Sequence, residues 1–321
     1  MPKVLTPSAH ASPSLRDWRG AVALRASRKP SGRCHCLAYV FITPAVVVLL
    51  GLIVGPLVYS AVLSLYRWQL TQINTAKSYA GLANYRAMLH DGLLGTSVRN
   101  SVIFVVVAVS VELVLGILIA TALTEITRGR HLATSLILLP MIVTPVVAAL
   151  IWQYIYNPQF GTISQALSLF GHQNGVDVLG SAQLVLPGFM VIDIWQWTPF
   201  AILVFLAGML SVPEELYEAA RVDGAGKFRI LRSITVPVLM PQILVVLLFR
   251  TMDAYRIFDT IYVLTKGGPG AASETVGLDA YQEGFTYFNT GYSMALGVFI
   301  LATVFVISSV YIRLLRRREV L

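Results

Sequence analysis

Residues 211–241 read SVPEELYEAARVDGAGKFRILRSITVPVLMP. This polar, patterned segment lies between two long apolar runs, 184–210 and 238–264, and its reading decides what those runs are for. Ser211 and Glu214 have capping-box spacing and Pro213 is tolerated in a first turn, which predicts a helix over 214–222. Asp223-Gly224 is a turn signal, because glycine accepts positive φ without strain. A second amphipathic stretch follows from about Gly226 to Thr235, with Phe228, Ile230, Leu231 and Ile234 apolar. Pro237 and Pro241 close the segment and start the next run. A plain connector needs neither two short helices nor a tight turn. Here Ala219 and Ala220 are expected to expose a smooth helical face that another protein can approach closely.

The rest of the chain is unusually apolar. Of its 321 residues 56 % are hydrophobic and only 12 % charged, with a mean hydropathy of +0.71. Soluble domains carry about 25 % charged residues, so lipid must cover part of this surface. A spanning helix needs about 20 apolar residues to cross roughly 30 Å of hydrocarbon. Six stretches qualify: 39–64, 101–124, 132–156, 184–210, 238–264 and 292–312. The first apolar run, from near Leu37, is too long for the core of a signal peptide and reads as a retained span.

Orientation follows from the basic residues of the loops. With the N-terminus inside, seventeen Lys and Arg lie in inside segments, five outside, and two, Arg250 and Arg256, within a span. Both termini are therefore expected in the cytoplasm, and the net charge of +8 is a topology signal rather than a nucleic-acid patch. The expected organisation is a cytoplasmic tail over 1–36, an all-α six-span body over 37–316 with its cytoplasmic loop at 211–237, and a second tail over 317–321. The outside segment 66–100 has room for a short amphipathic helix near Leu82 to Leu89. Cys34 and Cys36 flank His35 in the basic tail, but further ligands at metal-binding spacing are missing, and both read as incidental thiols.

The polar loop resembles a known family. Glu218-Ala219-Ala220, three residues, Gly224, nine residues, Ile234, then Val236-Pro237 is similar to the EAA loop of binding-protein-dependent ABC importer permeases. The family usually has Leu where Val236 stands. GLANY at 81–85, NPQFG at 157–161, IWQWTPF at 194–200 and the run 249–270 resemble the first of the two permeases of maltose-type carbohydrate importers. The resemblance implies the permease fold of type I importers in a bacterial or archaeal cytoplasmic membrane. It implies ATPase coupling through Glu218, Ala219, Ala220, Asp223, Gly224, Ile234 and Pro237. The implied partners are a second permease, an ATPase dimer that binds ATP and magnesium, and an extracytoplasmic sugar-binding protein. The implied cargo is a disaccharide of the maltose or trehalose kind, with glycerol phosphate and monosaccharides as the next choices.

Enzymatic chemistry on this chain is not expected. DGAGKF suggests a phosphate loop, but that motif needs Gly at position 221, which is Arg, and a hydroxyl at 228, which is Phe. Metal-ligand or nucleophile patterns are also missing. The charged fifth span is the other feature to explain. Arg250, Asp253, Arg256 and Asp259 follow each other at i, i+3, so neighbours can pair along a helix. Each such step turns the position back by about 60°, so in a continuous helix the four cannot all face one pore. They either neutralise each other and pin the helix to its neighbours, or place Arg250 or Asp253 on a water-filled path. Glu112 and Asp193 read mainly as helix-packing groups. Trp195 and Trp197 could stack on a sugar or anchor the helix at the membrane interface. A carrier without an ATPase would account for the buried charges, and a scaffold subunit for the docking loop. ATPase copurification counts against the first and ATP-dependent uptake against the second.

Overall fold

The computed structural model describes residues 33–70, 77–126, 128–169 and 175–319, with side chains except at 33–38, 167 and 315–319. The N-terminal tail up to residue 32 lies outside the described residues, as do the side chains of Cys34 and Cys36. Contacts divide the chain into two units, one ending at Tyr59 and one beginning at Ser60.

The described residues are mostly helical. α1 (Arg33–Leu63) leads through a two-stranded antiparallel ribbon, β1 (Tyr66–Arg67) and β2 (Ser78–Tyr79), to α2 (Ala83–Met88) and α3 (Gly92–Glu125). α4 (Arg130–Ile142), α5 (Pro145–Ile155), α6 (Thr162–Leu169) and α7 (Val185–Leu210) follow. The polar segment forms α8 (Glu214–Val222), α9 (Lys227–Ile230), a π turn (Leu231–Thr235) and α10 (Val236–Val238). α11 (Met240–Tyr255), α12 (Asp259–Leu264), α13 (Val276–Tyr281) and α14 (Thr290–Glu319) complete it.

Among the described residues four helices are long and apolar enough to cross a membrane: Tyr39–Leu63, Gly92–Glu125, Val185–Leu210 and Thr290–Leu314. The other two apolar runs are bent helix pairs, so the described residues hold up to six spans if each pair counts as one. α4 and α5 meet at 95°. The cause is Pro145, the first residue of α5, which drives Thr144 into an extended conformation (φ −66°, ψ 148°) and ends α4. Gln196 of α7 donates to the freed Val143 carbonyl at 2.8 Å. The second pair, Lys227–Val238 and Met240–Leu264, is bent by 69°. Apolar side chains such as Leu52, Phe41, Phe305 and Val306 are exposed, an aggregation hazard in water but the expected face toward lipid.

The second unit is held by close helix packing, since lipid offers no hydrophobic drive between helices. At Gly116 of α3 a Cβ would lie 2.8 Å from the Ala201 Cβ of α7, so glycine is what lets the two backbones approach. Ala120, Phe205, Met209, Leu239 and Val246 fill the core on this side. A second core gathers Phe104, Phe189, Ile192, Ala254 and Ile261, and a third joins Met88, Tyr255, Tyr292 and Leu296. Asp91 caps α3, accepting from the Leu93 and Leu94 amides at 2.9 and 3.3 Å. The amphipathic helix expected near Leu82 to Leu89 is α2.

Candidate functional site

The charges of α11 do not simply pair among themselves. Arg250 is 2 % exposed and its planar fork serves three carboxylates. Nε and Nη2 donate to the two Glu112 oxygens of α3 at 2.7 and 2.8 Å, and Nη2 also donates to Asp193 of α7 at 2.6 Å. Nη1 reaches Asp253 at 3.1 Å, and the guanidinium lies 4.9 Å from the Trp197 ring centre. The expected Arg250–Asp253 contact therefore exists but is the longest of the four hydrogen bonds. Five fixed donors let one arginine do this where a lysine could not. The result ties α3, α7 and α11 together at one buried point.

Beside this cluster is a cavity of about 330 Å³, lined by Gln196, Trp197, Asp253, Arg256, Phe258 and Asp259 among others. Arg256 donates to Asp253 at 3.1 Å and is largely exposed. In a continuous helix Asp259 would have turned away from Asp253. The helix instead breaks after Tyr255, Phe258 takes φ −145°, and α12 restarts with Asp259 at the cavity. Of the four sequence-nominated residues, Asp253 and Trp197 line the cavity and Arg250 is buried behind it. Trp195 instead packs edge-on against Trp152 of α5, at 5.8 Å.

The segment following α12 is clasped by α3. Asn100 donates to the carbonyls of Ala271, Ala272 and Glu274 at 3.1, 3.3 and 3.0 Å, and the Val276 amide donates to the Ser101 hydroxyl at 3.0 Å. Thr275 donates to the Ile257 carbonyl at 2.8 Å, tying α13 to the helix break. Burial, with Asp279 adding to it, pushes Glu274 up to about 7. Burial, then Asp91 and Glu283, pushes Asp279 up to about 7 against a hydrogen bond from Ser97 that lowers it. These two acids therefore do not place two full negative charges in the loop at neutral pH.

α8 and α9, joined through a tight turn at Gly224, are the two short helices read from the sequence. Gly224 has φ +75°, its amide donates to Arg221 O at 3.0 Å, and the Ala225 amide donates to Ala220 O at 2.9 Å. This is a Schellman stop, which uses a residue in the left-handed region. The capping box is not formed: Ser211 Oγ donates to Gly208 O at 2.7 Å, extending the end of α7, and Pro213 precedes α8 without a side-chain cap. Ala219 is exposed but Ala220 is buried, so only one of the two alanines offers a face. Glu218, Asp223 and Pro237 are exposed, and Ile234 is half-buried. Leu216, Val222 and Phe228 are exposed around them. Lys227 pairs with Glu125 of α3 at 2.8 Å, a surface contact of little energetic weight.

Spanning-length apolar helices tied together by a buried charge cluster are those of a multi-pass membrane protein. The family model for binding-protein-dependent transport system inner membrane components matches residues 112–320, and the chain belongs to that family. It is thus an inner-membrane permease component of an ABC transporter and not itself an enzyme. It is 38 % identical over 286 residues to the trehalose/maltose transport system permease protein MalF of Thermococcus litoralis, covering 88 % of this chain and 95 % of the relative. It is 35 % identical to the trehalose transport system permease protein SugA of Mycobacterium tuberculosis, over 87 % of this chain and 88 % of that one. A bacterial ABC transporter involved in import of the acidic polysaccharide alginate has a chain of the same fold, with TM-score 0.76 at 21 % identity, covering 94 % of this chain and 99 % of the other.

Proposed function

We propose that this chain is one of two permease subunits of an ATP-driven importer of neutral disaccharides of the trehalose or maltose type. In this reading it crosses the membrane six times with both termini in the cytoplasm, each bent pair counting as one span. The N-terminal tail is 1–36 and the C-terminal tail 317–321. An extracytoplasmic binding protein delivers the sugar, a reading supported by the match to the binding-protein-dependent family, and the relatives named for trehalose and maltose support the cargo. A second permease completes the path, and a dimeric ATPase binds ATP and magnesium below.

The observation that carries the reading is the α8–α9 hairpin. Its backbone is fixed by the Schellman stop, yet it presents Ala219 with the exposed apolar side chains of Leu216, Val222 and Phe228. A cytoplasmic loop gains nothing from exposing these groups unless another chain covers them. We assign Glu218, Ala219, Asp223 and Gly224 to this docking face. Ala220, Ile234 and Pro237 support it. The face transmits motion only if the ATPase holds it differently in two states of the permease.

The cavity chemistry supports a neutral cargo. Asp193, Asp253 and Asp259 line it with Arg256, and Arg250, bonded to Asp193 and Asp253 beside it, offsets part of their charge, leaving acids in excess of cations. Carboxylates accept from sugar hydroxyls but repel a phosphate or uronate. In the purified assembly, trehalose or maltose carried by the binding protein should stimulate ATP hydrolysis and glycerol phosphate should not. Stimulation by glycerol phosphate alone would reverse the assignment of cargo.

Topology is tested separately. In a background lacking Cys34 and Cys36, Gln159→Cys should react with an impermeant thiol reagent added outside, and Gly226→Cys only after the membrane is opened. The reverse order would overturn the orientation.

A further inference from the structure

A second cavity, of about 530 Å³, is lined by α3, the start of α7 and the loop that Asn100 holds. Its polar groups are Arg99 of α3 and Gln183, two residues before α7. One turn further along each helix the lining turns apolar, with Ile103 on α3 and Leu186 and Met190 on α7. In the six-span reading both helices run inward from the outside, so the polar groups share the outer end. Ala271 and Ala272, whose carbonyls accept from Asn100 at 3.1 and 3.3 Å, form another wall. Thr96 also borders it, but its hydroxyl donates to its own helix, at Gly92 O.

The charge here is the reverse of that beside Asp253. The lining holds no acidic residue, and Arg99 pairs with none of the described acids. Arg99 is exposed and stands just before the apolar run 101–124, at the height where hydrocarbon gives way to headgroups. Beyond Ile103 the same face of α3 continues as exposed Val106 and Val107, and α7 adds exposed Val191. The cavity is thus a groove that is cationic at the membrane boundary and opens onto apolar surface toward the membrane centre.

A soluble anion would use the arginine but not the apolar floor. A partner helix would use the floor but leave the arginine without an anion. An amphiphile with a phosphodiester head uses both, because the guanidinium fork matches phosphate oxygens, Gln183 can donate beside it, and an acyl chain covers the apolar side chains. A zwitterionic head would bring a second, positive group to a lining with no carboxylate to receive it.

We propose that the groove between α3 and α7 is a binding site for an anionic phospholipid of the outer leaflet, its phosphate on Arg99 and Gln183 and an acyl chain along Ile103, Leu186 and Met190. The site depends on the orientation above only for the choice of leaflet. The bound headgroup lies against the loop that Asn100 clasps, so lipid and clasp hold the same wall.

The test is native mass spectrometry of the permease purified with its partner chains, titrated with phosphatidylglycerol or with phosphatidylcholine of the same acyl chains. The parental assembly should retain phosphatidylglycerol at least about threefold better. Arg99→Gln should abolish that preference, whereas Arg86→Gln, which removes an exposed arginine of α2 outside the groove, should keep it. Ile103→Trp fills the groove and should weaken retention of both lipids. Excess inorganic phosphate should leave the bound lipid in place. Equal retention of the two lipids by the parental assembly, or an unchanged preference in Arg99→Gln, would overturn the site. Displacement by inorganic phosphate would overturn it in favour of a free-anion site, and loss of partner chains from Arg99→Gln in favour of a protein contact.

Discussion

Arg250→Met alone should nearly abolish recovery of folded protein. The change leaves Glu112 and Asp193, both buried, without the guanidinium that now lies 2.6 to 2.8 Å from their oxygens. Removing one partner of a buried ionic group typically costs about 3–5 kcal/mol, a large part of the stability of an ordinary domain. The i, i+3 spacing alone suggests that Arg250→Met with Asp253→Leu would be rescued. The structure says it will not be, because Asp253 is partly exposed and its bond to Arg250 is the longest. Rescue should require neutralising the two buried acids, as in Arg250→Met with Glu112→Gln and Asp193→Asn. The readout is the monodisperse fraction of detergent-extracted protein by fluorescence-detected size exclusion. A single Arg250→Met variant at the parental yield would refute the cluster's structural role.

How much of this could be read from the sequence depends on the range of the interaction. The helix over 214–222 and the positive φ of Gly224 were legible because turn chemistry is local. The capping box was misleading because the Ser211 hydroxyl had a competing acceptor, the Gly208 carbonyl one turn back. The α4–α5 bend was hidden by hydropathy, which counts apolar residues without asking whether a proline interrupts them; Pro145 was the available signal. The Arg250 cluster was legible only in its weakest part. Glu112 lies 138 residues away, and nothing local predicts that it meets Arg250. A broader signal was present, since a lone acid in each of two apolar spans needs a buried cation, and Arg250 stands near the middle of a third. The Asn100 clasp left no periodic trace, because it joins segments through tertiary contact.

The second large effect concerns the hairpin. Gly224→Val should lose ATP-driven uptake. A β-branched residue at φ +75° strains the Schellman stop by about 1–2 kcal/mol, although no atom lies within 4 Å of the new Cβ. The hairpin should therefore misplace its docking face while the spanning helices stay intact. Ala219→Arg should lose uptake by a different route. Ala219 is exposed, so the long cation is harmless to the fold but blocks close approach of a partner. Both variants should be extracted at the parental abundance. The direct measurement is ATPase copurified with tagged permease, alongside ATP-dependent trehalose or maltose uptake, each normalised to the amount of this chain. We expect Ala219→Arg to retain less than about a tenth of parental uptake, equivalent to roughly 1.4 kcal/mol or more of lost coupling, with reduced ATPase recovery. Parental uptake and parental ATPase recovery in both variants would contradict the assignment of this hairpin as the point where ATP drives the permease.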